Sequence, residues 1–425
     1  MSTVQDYQYL LLLACGVIVL LGILLGATVR RLGTAKEIAK RAAQVKATLL
    51  TNLSHEIRTP MNGVMGMTNL LFTTNLTNEQ RDYADAVLSS ADSLLELLNN
   101  MLDYALMDEG KLQFENVDFD LHGLLEDVAE HFAAQAAGKQ LELACMIAPE
   151  TPHVVTGDPV KLRQILNNLM SNAVKFTAQG EIILSSKVVS VEPGGVVLHI
   201  EVSDTGIGIS DEDRPKLFRT FGQLDSSSSR THSGAGMGLA ICKQIATGGR
   251  GYIDFHSKPG VGSSFWVVMR FGRPEYELPP TQADSKFVGR PVLVVSGSGA
   301  VRRTVLLYCR ALRLEGREAA SAADALALIK KTPVDLIVVD DRISNVIKLA
   351  EAKPPSTGMI LLSSASESLT ESAFERAETT RVDATISRPV KRLHFFRTIR
   401  EFFARRPVRR PLVQPSDSTE LSTHP

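Results

Sequence analysis

Residues 52–63 read Asn-Leu-Ser-His-Glu-Ile-Arg-Thr-Pro-Met-Asn-Gly, and His55 is the first group in the chain placed to do chemistry. It lies two residues from both Leu53 and Ile57. On a helix that is about 200° from each, so the imidazole faces away from the apolar seam those two residues mark. An exposed imidazole on a rigid helix is a usable nucleophile. Glu56 beside it can hydrogen-bond one ring nitrogen, which fixes the tautomer and raises the basicity of the other. Pro60 removes the amide that would bond the carbonyl of Glu56, which predicts a bend one turn further on. The chain has nine histidines, and plain surface is the alternative reading of this one.

A second set falls on a helix opened by Asp158-Pro159, an N-cap followed by a first-turn proline, and running to about Lys175. Leu162, Ile165, Leu166, Leu169, Met170 and Ala173 cover one face. Asn168, Asn172 and Lys175, at i, i+4 and i+7, lie within about 60° of each other on another face. Amide oxygens and an ammonium on one line suit a phosphate-bound Mg²⁺ and the charge of the phosphate. A solvated polar face is the other reading, although two asparagines in a helix interior cost propensity. Asp204-Thr-Gly-Ile-Gly-Ile209 ends a predicted strand; Gly206 and Gly208 permit close approach of a planar ligand, and Asp204 can accept from an exocyclic amine. Gly234-Ala-Gly-Met-Gly-Leu239 follows a polar stretch and opens a helix. Successive amides there, from Gly234 through Gly236 and Gly238 to Leu239, make a cradle for anionic oxygens. Ordinary turns explain either glycine set taken alone.

The elements that must position these groups follow from periodicity. Residues 36–72 read as a long helix in which Ile38, Ala42, Val45 and Leu49 follow heptad spacing and Leu53, Ile57, Val64, Met67 and Leu71 continue it with a one-residue shift. Residues 78–107 read as its partner, opened by a Thr77/Gln80 capping box, with Ala84, Leu88, Ala91, Leu95, Leu98, Leu102 and Ala105 as its seam. Two such stripes cannot bury themselves, which predicts a dimeric four-helix bundle. Residues 115–272 mix helices and strands: a helix near 121–137, then strands near 140–147, 180–192, 196–203, 252–257 and 263–271. Residues 273–288, with Pro274, Pro279 and Pro280, read as a linker. Residues 289–404 alternate strand and helix around Val292–Ser296, Leu336–Asp340, Met359–Ser363 and Ala384–Ser387, the pattern of a doubly wound parallel sheet. The tail 405–425 is basic and Pro-rich.

Leu10 to Val29 is an uncharged twenty-residue run, long enough at about 1.5 Å per residue for a bilayer core. Arg30, Arg31, Lys36, Lys40 and Arg41 follow it, and only Asp6 precedes it. That charge asymmetry predicts a single-pass transmembrane helix over 10–29, an external N-terminus over 1–9 and a juxtamembrane signalling helix over 30–46. The expected location is thus the bacterial inner membrane, with the remainder cytoplasmic. Gly22 and Gly26 form a GxxxG that can bring two spans together. The 425 residues are 44% apolar and 22% charged, so the chain as a whole is neither disordered nor low-complexity. A net charge of −1 gives no field for nucleic acid. Four scattered cysteines form no zinc or disulfide pattern and fit a reducing compartment.

Taken in order, these signals resemble a sensor histidine kinase. Residues 52–63 are similar to that family's H box, 164–177 to its N box, 204–209 and 234–239 to its glycine boxes, and Leu217–Phe221 to its F box. The resemblance covers roughly 36–272. It implies a histidine phosphoacceptor and dimerisation domain over 47–112 and an ATP-binding α/β sandwich of the GHKL kind over 115–272, with ATP and Mg²⁺ as cofactors. It makes His55 the phosphoacceptor and Asn172, supported by Asn168, the Mg²⁺ ligand. Asp204 becomes the adenine contact, 213–234 a mobile lid, and Arg230 a phosphate contact. Thr59 matches the position that family members use to remove phosphate from a partner. The implied partners are a second copy of the chain and a response-regulator receiver protein.

Residues 289–404 resemble a receiver domain, as in hybrid kinases. Asp340 matches the phosphoacceptor position and Ser363 the hydroxyl position, but Ser296-Gly297 stands where the family has its acidic metal pair. Arg388 replaces the usual lysine before Pro389, and the segment between Asp340 and Ser363 is short. Transfer to Asp340 without the acidic pair would leave charge uncompensated, so a degenerate receiver is expected. The rival to the enzyme is a non-catalytic ATP-binding scaffold that docks partners through this domain. Acid-labile phosphate that depends on His55 separates the two.

Overall fold

The computed structural model describes Gly22, Arg30, residues 56–98 except 78, 89, 92–93 and 96–97, and residues 114–219, 237–274, 287–364 and 382–405. Contacts divide the chain into two units, residues 1–114 with 215–244, and residues 115–214 with 245–425.

In the first unit, helix α1 covers 56–72 and continues through Pro60. Helix α2 begins at 79 and runs to 88 before the first gap in its description. The capping box forms as the sequence predicts: Thr77 N donates to Gln80 Oε1 (3.0 Å) and Gln80 N to Thr77 Oγ1 (3.2 Å). Ala84, Ala91 and Leu98, each one heptad apart, are buried. Val64, Met67 and Leu71 of the predicted α1 seam are exposed, as are Val87 and Leu94.

The second unit holds two sheets. The first has seven strands: β1 (Val117–Asp120), β2 (Glu142–Ile147), β3 (Val154–Gly157), β4 (Glu181–Glu192), β5 (Gly195–Asp204), β6 (Tyr252–Lys258) and β7 (Gly262–Gly272). Their order is β1-β3-β7-β5-β4-β2, with β6 on β7, and β2 pairs parallel with β4 while β4, β5 and β7 run antiparallel. β4 and β5 alternate buried and half-buried residues, so one face of the sheet takes the helices. Helix α3 (Leu121–His131), capped by Asp120, and helix α5 (Pro159–Phe176) pack there, while α4 (Ala133–Gly138) is short. The single helix expected near 121–137 breaks at Phe132, whose amide already bonds back to Ala129.

The second sheet is all parallel, in the order β12-β11-β10-β8-β9, from β8 (Pro291–Val295), β9 (Glu315–Ala319), β10 (Leu336–Asp340), β11 (Gly358–Ser364) and β12 (Ala384–Arg388). Alternate strand residues split between two cores. Val292, Val294, Val338, Ile360 and Ile386 face α7 (Gly299–Ala311) and the last helix, α10 (Arg392–Ala404). Leu293, Val295, Ile337, Val339 and Leu361 face α8 (Ala322–Lys331) and α9 (Val346–Ala352). Helices on both faces of a parallel sheet are the doubly wound arrangement.

The expected membrane placement is corrected. Among the described residues no helix is long and apolar enough to cross a membrane. Of the run 10–29 only Gly22 is described. The eighteen residues of α5 approach spanning length but carry Lys161, Arg163 and Lys175, and one face is spent on the sheet.

Candidate functional site

Helix α5 presents the asparagine line. Asp158 Oδ1 accepts from Lys161 N (2.9 Å), Pro159 occupies the first turn, and Leu162 through Val174 bury the opposite face. Asn168, Asn172 and Lys175 are left half-buried. Asn168 Nδ2 donates back to Gln164 O (3.0 Å), so its Oδ1 is not the atom that makes this bond. Partial burial lowers the Lys175 pKa from its ordinary value.

Asp204 ends β5 opposite Ile182 and Ser263 on the neighbouring strands. Its Oδ1 accepts from Gly206 N (2.8 Å) and Ser263 N (3.3 Å), which leaves Oδ2 for a donor from outside. Burial raises the Asp204 pKa, and those two amide bonds oppose the rise. The turn that follows is tight. A Cβ on Gly206 would stand 2.8 Å from Asp204 Oδ1, and one on Gly208, at φ +69°, would collide with the Lys258 carbonyl. Ser257 fixes the far side: its Oγ accepts from Ile209 N (2.8 Å), donates to Gly262 O (3.0 Å) and meets Ser263 Oγ (3.0 Å). A carboxylate with one oxygen held and one open, above a turn with no room for side chains, suits the edge of a planar base with an exocyclic amine. The oxygens of Asn172 and Asn168 suit a phosphate-bound divalent cation, and the Lys175 ammonium suits the charge of the phosphate. These residues therefore fit ATP with Mg²⁺.

Of the remaining site residues, four are described. Glu56 and Thr59 are exposed on α1. Gly238 and Leu239 open helix α6 (Gly238–Gly248). His55, Arg230, Gly234 and Gly236 lie outside the described residues.

At the carboxyl end of β10, Asp340 is 2% exposed. Ser296 Oγ donates to its Oδ2 (2.7 Å) and Arg342 N to its Oδ1 (3.1 Å). Arg388 Nη1 lies 3.2 Å from Asp340 Oδ1, and Nη2 donates to Asp341 Oδ1 (2.7 Å). The third carboxylate comes from the other sheet. Glu142 Oε2, on β2, is 2.8 Å from Arg342 Nη1 and 3.6 Å from Arg388 Nη1. Burial raises the pKa of Glu142 and of Asp341, and Arg388 opposes both shifts. Among the described residues no group of acidic, His or Cys side chains has metal-holding geometry. A guanidinium fills this acidic pocket instead. Sequence reasoning missed Glu142 and Arg342, because partners 200 residues apart leave no spacing to read.

Comparison with known proteins agrees with the geometry. Residues 157–273 match the family described as histidine kinase-, DNA gyrase B-, and HSP90-like ATPase, and residues 45–110 the His Kinase A (phospho-acceptor) domain. Over 263 residues the chain is 41% identical to the sensor histidine kinase GacS of Pseudomonas protegens, covering 62% of this chain and 28% of that protein. It is 41% identical over 235 residues to the signal transduction histidine-protein kinase BarA of Escherichia coli K12, covering 55% and 26%. The sensory/regulatory protein RpfC of Xanthomonas campestris is 38% identical over 248 residues, covering 58% and 34%. The chain thus spans about a quarter to a third of the length of these relatives. Among solved structures, full-length ShkA in complex with AMPPNP superposes at a TM-score of 0.66 with 29% identity, covering 86% of this chain and 73% of that one.

Proposed function

We propose that this chain works as a sensor histidine kinase in which His55 takes the γ-phosphoryl group of ATP and passes it to an aspartate on a separate receiver protein. Its two matched domains are those of an ATP-dependent protein-histidine kinase, and over them it is homologous to hybrid two-component kinases. The Asp204 turn is the observation that carries the reading: Gly206 N and Ser263 N hold its Oδ1, an arrangement that supports an adenine contact through Oδ2.

In that reading Asp204 Oδ2 accepts from the adenine amine, while Gly206 and Gly208 let the base lie against backbone. Asn172 and Asn168 would hold Mg²⁺ beside the phosphates, where it would neutralise charge that develops on the transferring group. Lys175 adds positive charge beside it, and its partial burial strengthens that interaction. The glycine run 234–239 closes on the phosphates, with Arg230 as a further contact. A His55 ring nitrogen forms the bond to phosphorus as the bond to ADP breaks. Glu56 holds the other ring nitrogen and stabilises the charge the imidazole gains. Thr59, one turn on and exposed, positions a water for the reverse task, removal of phosphate from the partner.

The exposed Val64, Met67, Leu71, Val87 and Leu94 support a second copy of the chain packing against this hairpin. The domain over 289–404 acts as a receiver that has lost its metal site, which the Arg388 guanidinium beside Asp340 and Asp341 supports. Phosphate therefore bypasses Asp340 and leaves for another protein. Incubation with labelled ATP and Mg²⁺ tests this: the label is expected to be acid-labile, and acid-stable label retained at Asp340 refutes the bypass.

A further inference from the structure

The ATP-binding sheet and the C-terminal domain belong to one unit, and their contacts are specific. Tyr308 on α7 is 1% exposed, and its hydroxyl donates to Cys145 O (3.2 Å) on β2, the terminal strand of the seven-stranded sheet. Arg392 N donates to Glu126 Oε1 (2.6 Å) and Arg392 Nη1 to His122 Nδ1 (2.8 Å), both on α3. Lys391 Nζ donates to Glu130 Oε2 (2.7 Å). Arg342 Nη1 donates to Glu142 Oε2 (2.8 Å) at the start of β2, with the Arg388 guanidinium 3.6 Å from the same oxygen, and Arg303 Nη2 donates to Glu181 Oε1 (3.2 Å) at the start of β4.

Those last two points lie beside the nucleotide turn. Glu142 stands opposite Glu181 in the β2–β4 register, and its amide donates to Gly180 O (2.9 Å). Glu181 N donates to Thr205 Oγ1 (3.0 Å), and Thr205 N returns a bond to Glu181 O (3.2 Å). Thr205 follows Asp204 directly. At the usual strand spacing, Glu142 and the Asp204 turn are two strands, about 10 Å, apart. A second tie runs beside the first: Lys139, three residues before Glu142, donates from Nζ to Val174 O (2.7 Å) and Lys175 O (3.3 Å) in the last turn of α5.

We propose that the C-terminal domain tunes the affinity of the nucleotide site: its grip on Glu142 and Glu181 orders the strand ends that set the Asp204 turn, so docking of this domain and binding of nucleotide favour each other. The inference rests on reading Asp204 as the nucleotide contact. Linkage requires the effect in both directions: nucleotide must tighten the docked domain by the factor by which docking tightens nucleotide. The buried Glu142 cluster carries most of the coupling. The Arg303–Glu181 pair is half exposed and carries less.

The test titrates ADP with Mg²⁺ into the full chain and follows amide hydrogen exchange in α7, β12 and α10. Glu142→Gln is expected to weaken ADP at least fivefold and Arg303→Ala by a smaller factor. ADP is expected to slow exchange across α7 and α10 in the unaltered chain and not in Glu142→Gln. Asp335→Asn, which breaks the Arg290–Asp335 pair (2.8 Å) inside the C-terminal domain, controls for general loosening and is expected to leave ADP affinity unchanged. Glu142→Gln binding ADP within twofold of the unaltered chain, or Asp335→Asn weakening it equally, overturns the coupling. If the unaltered chain binds no ADP, the nucleotide reading itself falls and takes the coupling with it; if Asp204→Asn alone abolishes binding while Glu142→Gln does not weaken it, only the coupling falls.

Discussion

Replacing Arg388 by methionine removes a guanidinium that lies within 4 Å of three carboxylates. Arg388 is 5% exposed, and the side chains of Asp340, Asp341 and Glu142 are 3%, 7% and 11% exposed. Taking away one partner of a buried ion pair leaves uncompensated charge and costs about 3–5 kcal/mol. For a domain of about 100 residues that lowers its unfolding temperature by roughly 10–20 °C. The sign with pH follows from the raised pKa values of Glu142 and Asp341. A carboxyl whose folded pKa lies above its unfolded value contributes stability at low pH, which is lost as pH rises through the folded value. Arg388 holds both values down, so without it they climb further and the loss at neutral pH deepens. The Arg388→Met deficit is therefore expected in full near pH 7.5 and to shrink as the medium is acidified toward the ordinary carboxylate range. Calorimetry of both proteins at the two pH values measures it. A deficit below about 1 kcal/mol, or one equal at both pH values, refutes a buried charge cluster centred on Arg388.

Other outcomes follow from the same geometry. Asp204→Asn removes a charged acceptor and is expected to weaken nucleotide binding by about 1.5–3 kcal/mol, read by ADP titration. Gly208→Ala, at φ +69° against the Lys258 carbonyl, is expected to lose nucleotide binding in the same titration while Gly194→Ala, at a positive φ with open space around it, does not. His122 is held neutral, with a pKa of about 4, chiefly by burial and by Arg392. A base with a depressed folded pKa gives stability that is lost as pH falls from about 6.5 to 4, on the order of 3 kcal/mol here. His122→Gln is expected to flatten that slope in urea unfolding. Thr77→Ala removes a cap worth about 0.5–2 kcal/mol and is expected to increase exchange at the start of α2.

What the sequence made legible was local. Asp158-Pro159 and the Thr77/Gln80 box are read within four residues, and both cap as written. The buried strand Leu336–Asp340 stands out as four apolar residues running into Asp340. β1 and β3 have four residues each, and β9 reads Glu-Gly-Arg-Glu-Ala, so none has an apolar period to detect. Asp204 and its glycines were visible as a cluster, but Ser257 and Ser263, which steady that turn, lie over 45 residues away and look like ordinary hairpin serines. The cluster of Glu142 with Arg342 and Arg388 is made wholly by tertiary contact. The apolar run over 10–29 satisfied the composition rule for a span, yet among the described residues no helix meets the length and apolarity that a crossing requires.

In the proposed function His55 receives phosphate from nucleotide bound at the Asp204 turn. The direct measurement is phosphate incorporation by the full chain from Mg²⁺-ATP, with acid and base lability of the product, in the unaltered protein, His55→Gln and Asp204→Asn. Acid-labile, base-stable phosphate is expected in the unaltered protein, none in His55→Gln and strongly reduced label in Asp204→Asn. Label that persists in His55→Gln contradicts it.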